Sequence, residues 1–164
     1  MSKRYVHIFC GTGTGKTAAA MGKGIQEASQ GKSVFMIQFL KEKRSDDVKE
    51  FFNRLEPEIK IYRFEKFPEN FESLTEREKE DESRNIKNGL NFARKVLQTD
   101  ECDVLILDEI LGLVDQGIVT VEEIQTLIDA AVDTTIYLTG TEKCETLWPY
   151  VDEVTEMSTQ YHRS

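Results

Sequence analysis

The stretch "YVHIFCGTGTGKTAAA" occupies residues 5–20 and contains the pattern that decides the fold. The run YVHIF predicts a buried strand, and it passes directly into alternating glycines that end in Gly15-Lys16-Thr17. A glycine-rich turn between a strand and a helix, closed by Gly-Lys-Thr, is typical of a phosphate-binding loop, although Cys10 stands where the common pattern has its first glycine. Residues 10–17 are called the phosphate loop below.

The residue types of this loop suit a nucleotide phosphate. Glycines let the backbone turn so that successive N–H groups converge on an anion, and the following helix adds its positive N-terminal end. Lys16 would reach the phosphate oxygens, and the hydroxyl of Thr17 would bind Mg²⁺. An ordinary glycine turn is the alternative interpretation, and it does not explain why three alternating glycines are followed by Lys-Thr.

Two later strand ends complete the predicted site. The apolar run "VLILDE" (104–109) ends in Asp108 and Glu109, and phosphate-loop enzymes use such an acid to hold Mg²⁺. Asp108 has the usual position, but spacing leaves open which of the two contacts the metal. The stretch "LTG" (138–140) ends another strand, where Thr139 and Gly140 either approach the nucleotide or form a simple turn.

Strand patterns alternate with helical patterns along the whole chain. This alternation predicts an α/β fold with a mainly parallel, twisted sheet and helices on both faces, similar to phosphate-loop NTPases of the RecA-like type. The carboxyl ends of the strands then share one edge, where ligands bind. Strands are predicted at 5–9, 33–40, 59–64, 104–109 and 134–140, and helices at 17–32, 45–56, 75–97 and 120–131, with a short helix around Trp148. The acidic run Glu76–Glu82 predicts a solvated helix face.

Composition limits the partners and the compartment. The 164 residues fit a single domain, 1–164, and the net charge of −9 argues against nucleic acid or an anionic membrane as a partner. Three widely spaced cysteines show no zinc or redox spacing, and a reduced cytoplasm is the simplest expectation. No stretch has the length of a transmembrane helix or the pattern of a signal peptide.

The motifs together resemble those of the ATP:corrinoid adenosyltransferases of cobalamin biosynthesis. That family's loop reads T-G-x-G-K-G-K-T-T-A-A, and CGTGTGKTAAA matches it with a small residue, not glycine, at its start. The family's later segments are matched in order and spacing over nearly the whole chain. The matching segments are VFMIQFLK (34–41), LILDEILGLVDQGIVTVEEI (105–124), YLTGT (137–141) and VDEVTEM (151–157).

The resemblance implies a reaction and a set of site residues. Enzymes of this type transfer the 5′-deoxyadenosyl group of ATP to the cobalt of a reduced corrinoid and release triphosphate, and their loop holds ATP reversed relative to ordinary NTPases. The implied catalytic residues are Lys16, Thr17 and Glu109, and the metal ligands are Thr17, Asp108 and Glu109 with Mg²⁺. The implied substrate-binding residues are Gly11, Thr12, Gly13, Thr14, Gly15, Lys16, Thr17, Gln38, Thr139, Gly140, Phe67 and Phe71. A flavoprotein reductant and a homodimer are further expectations from the resemblance. The family tends to dimerise, although no exposed apolar stripe in this sequence demands it.

The chain departs from the family pattern at four places. Thr14 replaces a loop lysine, and Thr141 replaces a basic residue after L-T-G, with Lys143 the nearest cation. A family F-T-W segment has only Phe67 and Phe71 as aromatic counterparts, and the basic tail is cut short at QYHRS (160–164). Two alternatives therefore stay open: an NTPase or kinase of other specificity, and a non-catalytic paralogue that binds ATP or a corrinoid.

Overall fold

The computed structural model describes residues 4–39, 46–64 and 69–164, with the side chains of residues 46–49 left aside. Within these ranges, six strands form one sheet in which every pairing is parallel. The strands are β1 (Tyr5–Cys10), β2 (Val34–Gln38), β3 (Ile59–Arg63), β4 (Val104–Asp108), β5 (Thr135–Thr139) and β6 (Glu153–Glu156). Their spatial order is β3-β2-β4-β5-β1-β6.

Helices connect these parallel strands, because a parallel pair needs a long crossover. The helices are α1 (Lys16–Ser29), α2 (Asp46–Asn53), α3 (Glu76–Gln98), α4 (Ile110–Asp115) and α5 (Val121–Asp129), and 3₁₀ turns cover Phe71–Ser73 and Glu145–Tyr150. Gly31, with φ of 86°, follows the last turn of α1 in the left-handed region, a conformation that glycine commonly adopts after a helix. The predicted α/β, mainly parallel fold is confirmed.

The sheet carries a hydrophobic layer on each face, which confirms the predicted helices on both sides. One layer joins the sheet to α1 and α2, and its buried members include Phe9, Met21, Met36 and Ile106. The other joins it to α3, α4 and α5, and its buried members include Ile8, Ile86, Leu111 and Ile124. Since both faces are covered, the strands are apolar in consecutive positions, as in the fully buried β4.

Helix α3 begins with a capping box in which Thr75 and Glu78 bond to each other's backbone N–H. The acidic run on its first turns was predicted to be a solvated face, and this holds for Glu76 and Glu80 but not for Glu82, which is buried. Glu82 accepts a hydrogen bond from Asn85 at 3.3 Å. Charge alone therefore did not tell which side of the helix faces the protein.

The segment VDEVTEM was not assigned to an element from sequence, and it forms β6 beside β1. Asp152 fixes the start of this pairing, because its backbone N–H donates to Val6 O and its side chain accepts from Val6 N at 2.8 Å. The register pairs Cys10 with Glu156, so β6 ends level with the start of the phosphate loop.

None of the helices in the described ranges combines the length and apolarity that a membrane span requires.

Candidate active site

The phosphate loop turns sharply into α1 at Gly15. Gly15 is the N-cap of the helix with φ of 101°, a conformation that favours glycine, and no side chain caps this end. The first turn of α1 contains no acidic residue, so nothing in it offsets the positive end of the helix dipole. Lys16 folds back and donates to Gly13 O at 2.7 Å. The loop therefore presents a positive helix end and a cation at one place.

The alternation of glycine and threonine in the loop has a packing explanation. Gly11 and Gly13 are buried beneath Met157, the residue that follows β6, and a Cβ on Gly13 would lie 2.9 Å from the Met157 carbonyl. Their N–H groups donate to Thr141 O and Met157 O at 3.0 and 2.9 Å. Two of the three glycines thus let the chain after β6 hold the loop closely, a role that the sequence pattern did not reveal.

Thr12 and residues 14–17 of the loop line a cavity of about 450 Å³. Thr12, Thr14 and Gly15 are exposed, and Lys16 and Thr17 are half-buried. The cavity is lined by residues 12–18 and by Glu109 alone from the rest of the described chain. The structure thus brings the predicted loop residues and one predicted acid to a single cavity.

Asp108 lies at the end of β4, buried, beside the first turn of α1. Its Oδ1 accepts hydrogen bonds from the hydroxyls of Thr17 at 2.7 Å and Thr139 at 2.9 Å, and its Oδ2 accepts from Gln38 Nε2 at 3.2 Å. The expectation that the acid strand ends beside Thr17 is confirmed. Thr139 and Gln38, predicted to bind substrate, hold the acid instead of lining the loop cavity.

Glu109 follows Asp108 with φ of 63°, in the left-handed region that few residues other than glycine adopt. Its backbone N–H donates to the Thr139 hydroxyl at 2.8 Å, and it occupies the N-cap position of α4 without a side-chain capping bond. This turn brings Glu109 to the rim of the loop cavity while Asp108 stays beneath it. The two neighbouring acids therefore occupy different environments.

Arg63 is a residue of this cluster that sequence reasoning missed. It ends β3 and donates from Nε to Gln38 Oε1 at 2.8 Å, and strand register aligns Arg63, Gln38 and Asp108 in one row. The available signal was the position of a basic residue at the carboxyl end of a predicted strand, IKIYRF.

Two further predicted residues, Gly140 and Phe71, lie elsewhere in the fold. Gly140 packs against Leu111 of α4 so closely that a Cβ would overlap it, and its N–H donates to Phe9 O. Phe71 is half-buried in a 3₁₀ turn, with the Lys79 ammonium 5.8 Å from its ring centroid. Phe67 lies outside the described residues.

A second cavity of about 450 Å³ adjoins the phosphate loop, and Thr12 lines both cavities. Its lining includes Thr141–Glu145 and Glu156–Ser158. Lys143 and Glu156 form an ion pair at 2.9 Å here, and the hydrogen bond to Glu156 raises the pKa of Lys143. Lys143, the nearest cation to the replaced basic position, is thus paired with a carboxylate. Burial raises the pKa of the thiol of Cys10, the first residue of the loop.

The donor set at Thr17, Asp108 and Glu109 fits Mg²⁺. All three offer oxygen, the ligand atom that Mg²⁺ prefers, and Mg²⁺ is commonly held by one or two carboxylates together with substrate phosphates. Within the described residues no group of three or more His, Cys, Asp or Glu side chains forms a self-contained metal site. A site completed by a phosphate substrate is consistent with this arrangement.

Comparison with known proteins gives a family and a fold. Residues 2–164 match the family model of the ATP:corrinoid adenosyltransferases BtuR/CobO/CobP. Two proteins named corrinoid adenosyltransferase, from Escherichia coli K12 and from Escherichia coli O6:H1, are each 26% identical over 156 residues, which is 94% of this chain and 76% of the relative. A KaiC-like protein of Pyrococcus horikoshii OT3 aligns with a TM-score of 0.61 at 18% identity, covering 98% of this chain and 75% of that one. This last likeness concerns the fold alone.

Proposed function

The chain belongs to the ATP:corrinoid adenosyltransferase family, and from this premise we propose how its site performs the family's reaction. It transfers the 5′-deoxyadenosyl group of ATP to the cobalt of a reduced corrinoid and releases triphosphate. The observation that carries our assignment of the site is the 2.7 Å hydrogen bond between Thr17 and Asp108, which joins the phosphate loop to the acid strand.

We assign triphosphate binding to the outward-facing side of the loop. The N–H groups of Gly11 and Gly13 already serve protein carbonyls, so we assign the phosphate contacts to Thr12, Thr14, Gly15 and the first turn of α1. Lys16 leaves Gly13 O and donates to a phosphate oxygen, an exchange of one hydrogen bond for a charge-assisted one. The positive end of α1 adds to this attraction.

The chemistry needs position and charge stabilisation more than a base. Cobalt(I) supplies the electron pair for the new cobalt–carbon bond to the ribose 5′ carbon, and the carbon–oxygen bond breaks with its pair going to triphosphate. The protein lowers the barrier by holding the 5′ carbon in line with cobalt and by stabilising the charge on the leaving group. In our proposal Lys16 and the loop N–H groups perform the second task.

We propose that Thr17 and Asp108 hold Mg²⁺ together with the phosphates, and that Glu109 binds at the cavity rim through the metal or its water. The bound Mg²⁺ would neutralise charge that develops on the triphosphate. The Thr17 hydroxyl donates its proton to Asp108, so its oxygen lone pairs remain for the metal. The Thr139 and Gln38 donors keep the carboxylate oriented.

The corrinoid contacts are proposed from the family's aromatic F-T-W segment. We assign them to Phe71, together with Phe67 outside the described residues. We also propose a cytoplasmic enzyme that receives cobalt(I) corrinoid from a flavoprotein and that associates as a homodimer. Each of these rests on the family resemblance.

The test supplies a corrinoid reduced to cobalt(I), ATP and Mg²⁺ without oxygen. We expect a light-sensitive cobalt–carbon product together with one equivalent of triphosphate. Release of ADP and phosphate would instead identify an NTPase or kinase, because phosphoryl transfer cleaves at the γ-phosphate. Binding of ATP and corrinoid without either product would identify a carrier or sensor.

The Thr17→Val variant, which loses the hydroxyl but keeps the shape of the side chain, should lower the rate of adenosyl transfer by about 10- to 1,000-fold, as removal of one charge-stabilising group does.

A further inference from the structure

We infer that Arg63 is a positioning residue for the metal-binding carboxylate: it fixes the Gln38 amide, which in turn fixes Asp108. The inference rests on the proposed function only in that Asp108 holds Mg²⁺ with a nucleotide. Arg63 lies outside the segments that match the family's motifs, and its role follows from the geometry of β2, β3 and β4.

The three side chains form one row at the carboxyl edge of the sheet. Gln38 pairs with Arg63 on one side and with Asp108 on the other in strand register. Residues level with one another on adjacent parallel strands project to the same side, so their side chains meet. The contacts follow this row, from Arg63 Nε to Gln38 Oε1 at 2.8 Å and from Gln38 Nε2 to Asp108 Oδ2 at 3.2 Å.

Hydrogen-bond polarity gives the row a direction. A guanidinium can only donate, whereas an amide has one accepting oxygen and one donating nitrogen. By occupying Oε1 of Gln38, Arg63 leaves the amide nitrogen facing Asp108. The reverse orientation would set the amide oxygen against the carboxylate oxygen, two acceptors without a proton between them. Arg63 therefore selects the one amide orientation that supports the acid.

The orientation matters because of the way in which Asp108 is held. Its Oδ1 serves Thr17 and Thr139, so Gln38 provides the contact to Oδ2 in the described structure. Gln38 is buried, so solvent offers little replacement if the amide turns. Loss of this contact leaves the carboxylate held through Oδ1 alone, so that its orientation about the last side-chain bond is less well fixed. Mutation of a residue that hydrogen-bonds to a metal ligand typically lowers metal affinity or activity by about 10- to 100-fold.

A direct role of Arg63 in phosphate binding makes a different prediction. A guanidinium that touches the triphosphate would contribute to ATP affinity whether or not Mg²⁺ is present. Its removal would weaken ATP binding under both conditions. If Arg63 only positions Asp108, its removal weakens the Mg²⁺-dependent part of ATP affinity and leaves ATP binding without metal unchanged. Arg63 is absent from the lining of the loop cavity, where Glu109 is the single contributor from beyond the loop and α1 among the described residues. This placement favours the positioning role.

The experiment measures ATP binding by calorimetry in EDTA and over a series of Mg²⁺ concentrations. For Arg63→Met, which keeps an apolar stem, we expect the half-saturating Mg²⁺ concentration to rise about 10- to 100-fold and the affinity for ATP in EDTA to stay within about twofold. Arg63→Lys retains a donor and should recover part of the loss. Arg4→Met is the matched control, since Arg4 is half-buried, donates to Ile128 O at 3.1 Å and lies just before β1, at the amino ends of the strands.

A second variant separates an effect that passes through Gln38 from a general loss of structure. In a Gln38→Met background, Arg63→Met should cause no further rise in the Mg²⁺ requirement, because the amide through which it acts is gone. Additive losses, an unchanged Mg²⁺ requirement, or an equal loss in EDTA would each overturn the inference, as would a wild-type protein whose ATP binding ignores Mg²⁺. Adenosyl transfer is assayed separately. A protein that shows the expected Mg²⁺ shifts but forms no cobalt–carbon product would contradict the proposed function and leave this inference standing.

Discussion

Thr14 is the residue at which the loop departs most from its family, and its surroundings show what a lysine would do there. The side chain is exposed and lines the loop cavity. Lys143, the cation nearest the replaced basic position 141, is paired with Glu156 at 2.9 Å. A cation at position 14 would therefore meet the triphosphate without first breaking an existing contact. Position 14 therefore decides whether the loop offers a second cation beside Lys16.

We predict that Thr14→Lys tightens ATP binding. A hydrogen bond to a charged group contributes about 1.5–3 kcal/mol when it replaces water, and exposure of the site lowers this to about 1–2 kcal/mol, or roughly 5- to 30-fold in Kd. The measurement is titration calorimetry with Mg-ATP. Thr14→Gln is the control, since its length is similar and it has no charge. Equal tightening by both variants, or by neither, would contradict the electrostatic explanation.

At the scale of elements, the edge strand β6 connects the fold to the phosphate loop. His7 of β1 bonds to two residues of β6, with Nδ1 2.9 Å from Glu153 and Nε2 2.8 Å from Thr155. The ring also stacks on Phe9 at 4.2 Å between centroids. Burial lowers the pKa of His7, against the opposing effect of Glu153 and with a smaller contribution from Lys23 in the same direction. The attachment of β6 is thus made with a neutral imidazole.

We predict that this histidine makes the fold less stable in mild acid. The unfolded chain binds a proton at His7 near pH 6.5, whereas the folded chain resists it until a lower pH, so stability declines as the pH falls below about 6.5. Thermal unfolding at pH 7.5 and 5.5 should show a smaller loss of Tm in His7→Gln than in wild type. His162→Gln is the control, because His162 is exposed near the chain end. Identical losses in wild type and His7→Gln would refute the assignment.

The sequence predicted the strands and helices better than it predicted which strands lie side by side in the sheet. Apolar runs followed by loop residues identified five strands. The phosphate loop and the acid strand are both local motifs, so Thr17 and Asp108 could be placed at one edge of the sheet from the residue pattern alone. The strand in VDEVTEM was missed because only two of the four residues of β6, Val154 and Thr155, are half-buried, so that the strand has little apolar pattern of its own. Its pairing with β1 depends on contacts such as Asp152 to Val6, which are 146 positions apart.

Roles that depend on strand register were also out of reach from sequence. The spacing of Gly13 predicts a phosphate-binding glycine, and that stays a prediction; its burial beneath Met157 depends on where β6 ends and has no local signal in the sequence. Arg63 has no motif, and its place in the site follows from pairing with Gln38 in the folded sheet. Local patterns therefore located the site, and long-range packing decided which residues support it.

At the scale of the whole molecule, the site joins distant parts of the chain into one unit. Thr17 and Asp108 are 91 positions apart, and Gly13 is held by Met157 at the far end of the sequence. A ligand that contacts the loop, the first turn of α1 and the end of β4 at once must bind the folded state and not the unfolded one. Nucleotide binding should therefore stabilise the whole fold and not only the loop.

We predict that Mg-ATP raises the unfolding temperature in a manner that depends on Lys16. At a ligand concentration about 100 times the Kd the added stability is about 2.7 kcal/mol, and for a chain of this length it corresponds to a rise of roughly 5–10 °C in Tm. Lys16→Ala should abolish the rise while changing the ligand-free Tm little, since Lys16 is half-buried and makes one hydrogen bond to its own loop. Lys23→Ala removes the same charge from an exposed position two turns along α1 and should keep the full rise. A rise that survives Lys16→Ala, or that Lys23→Ala abolishes equally, would mean that ATP binds somewhere other than the phosphate loop.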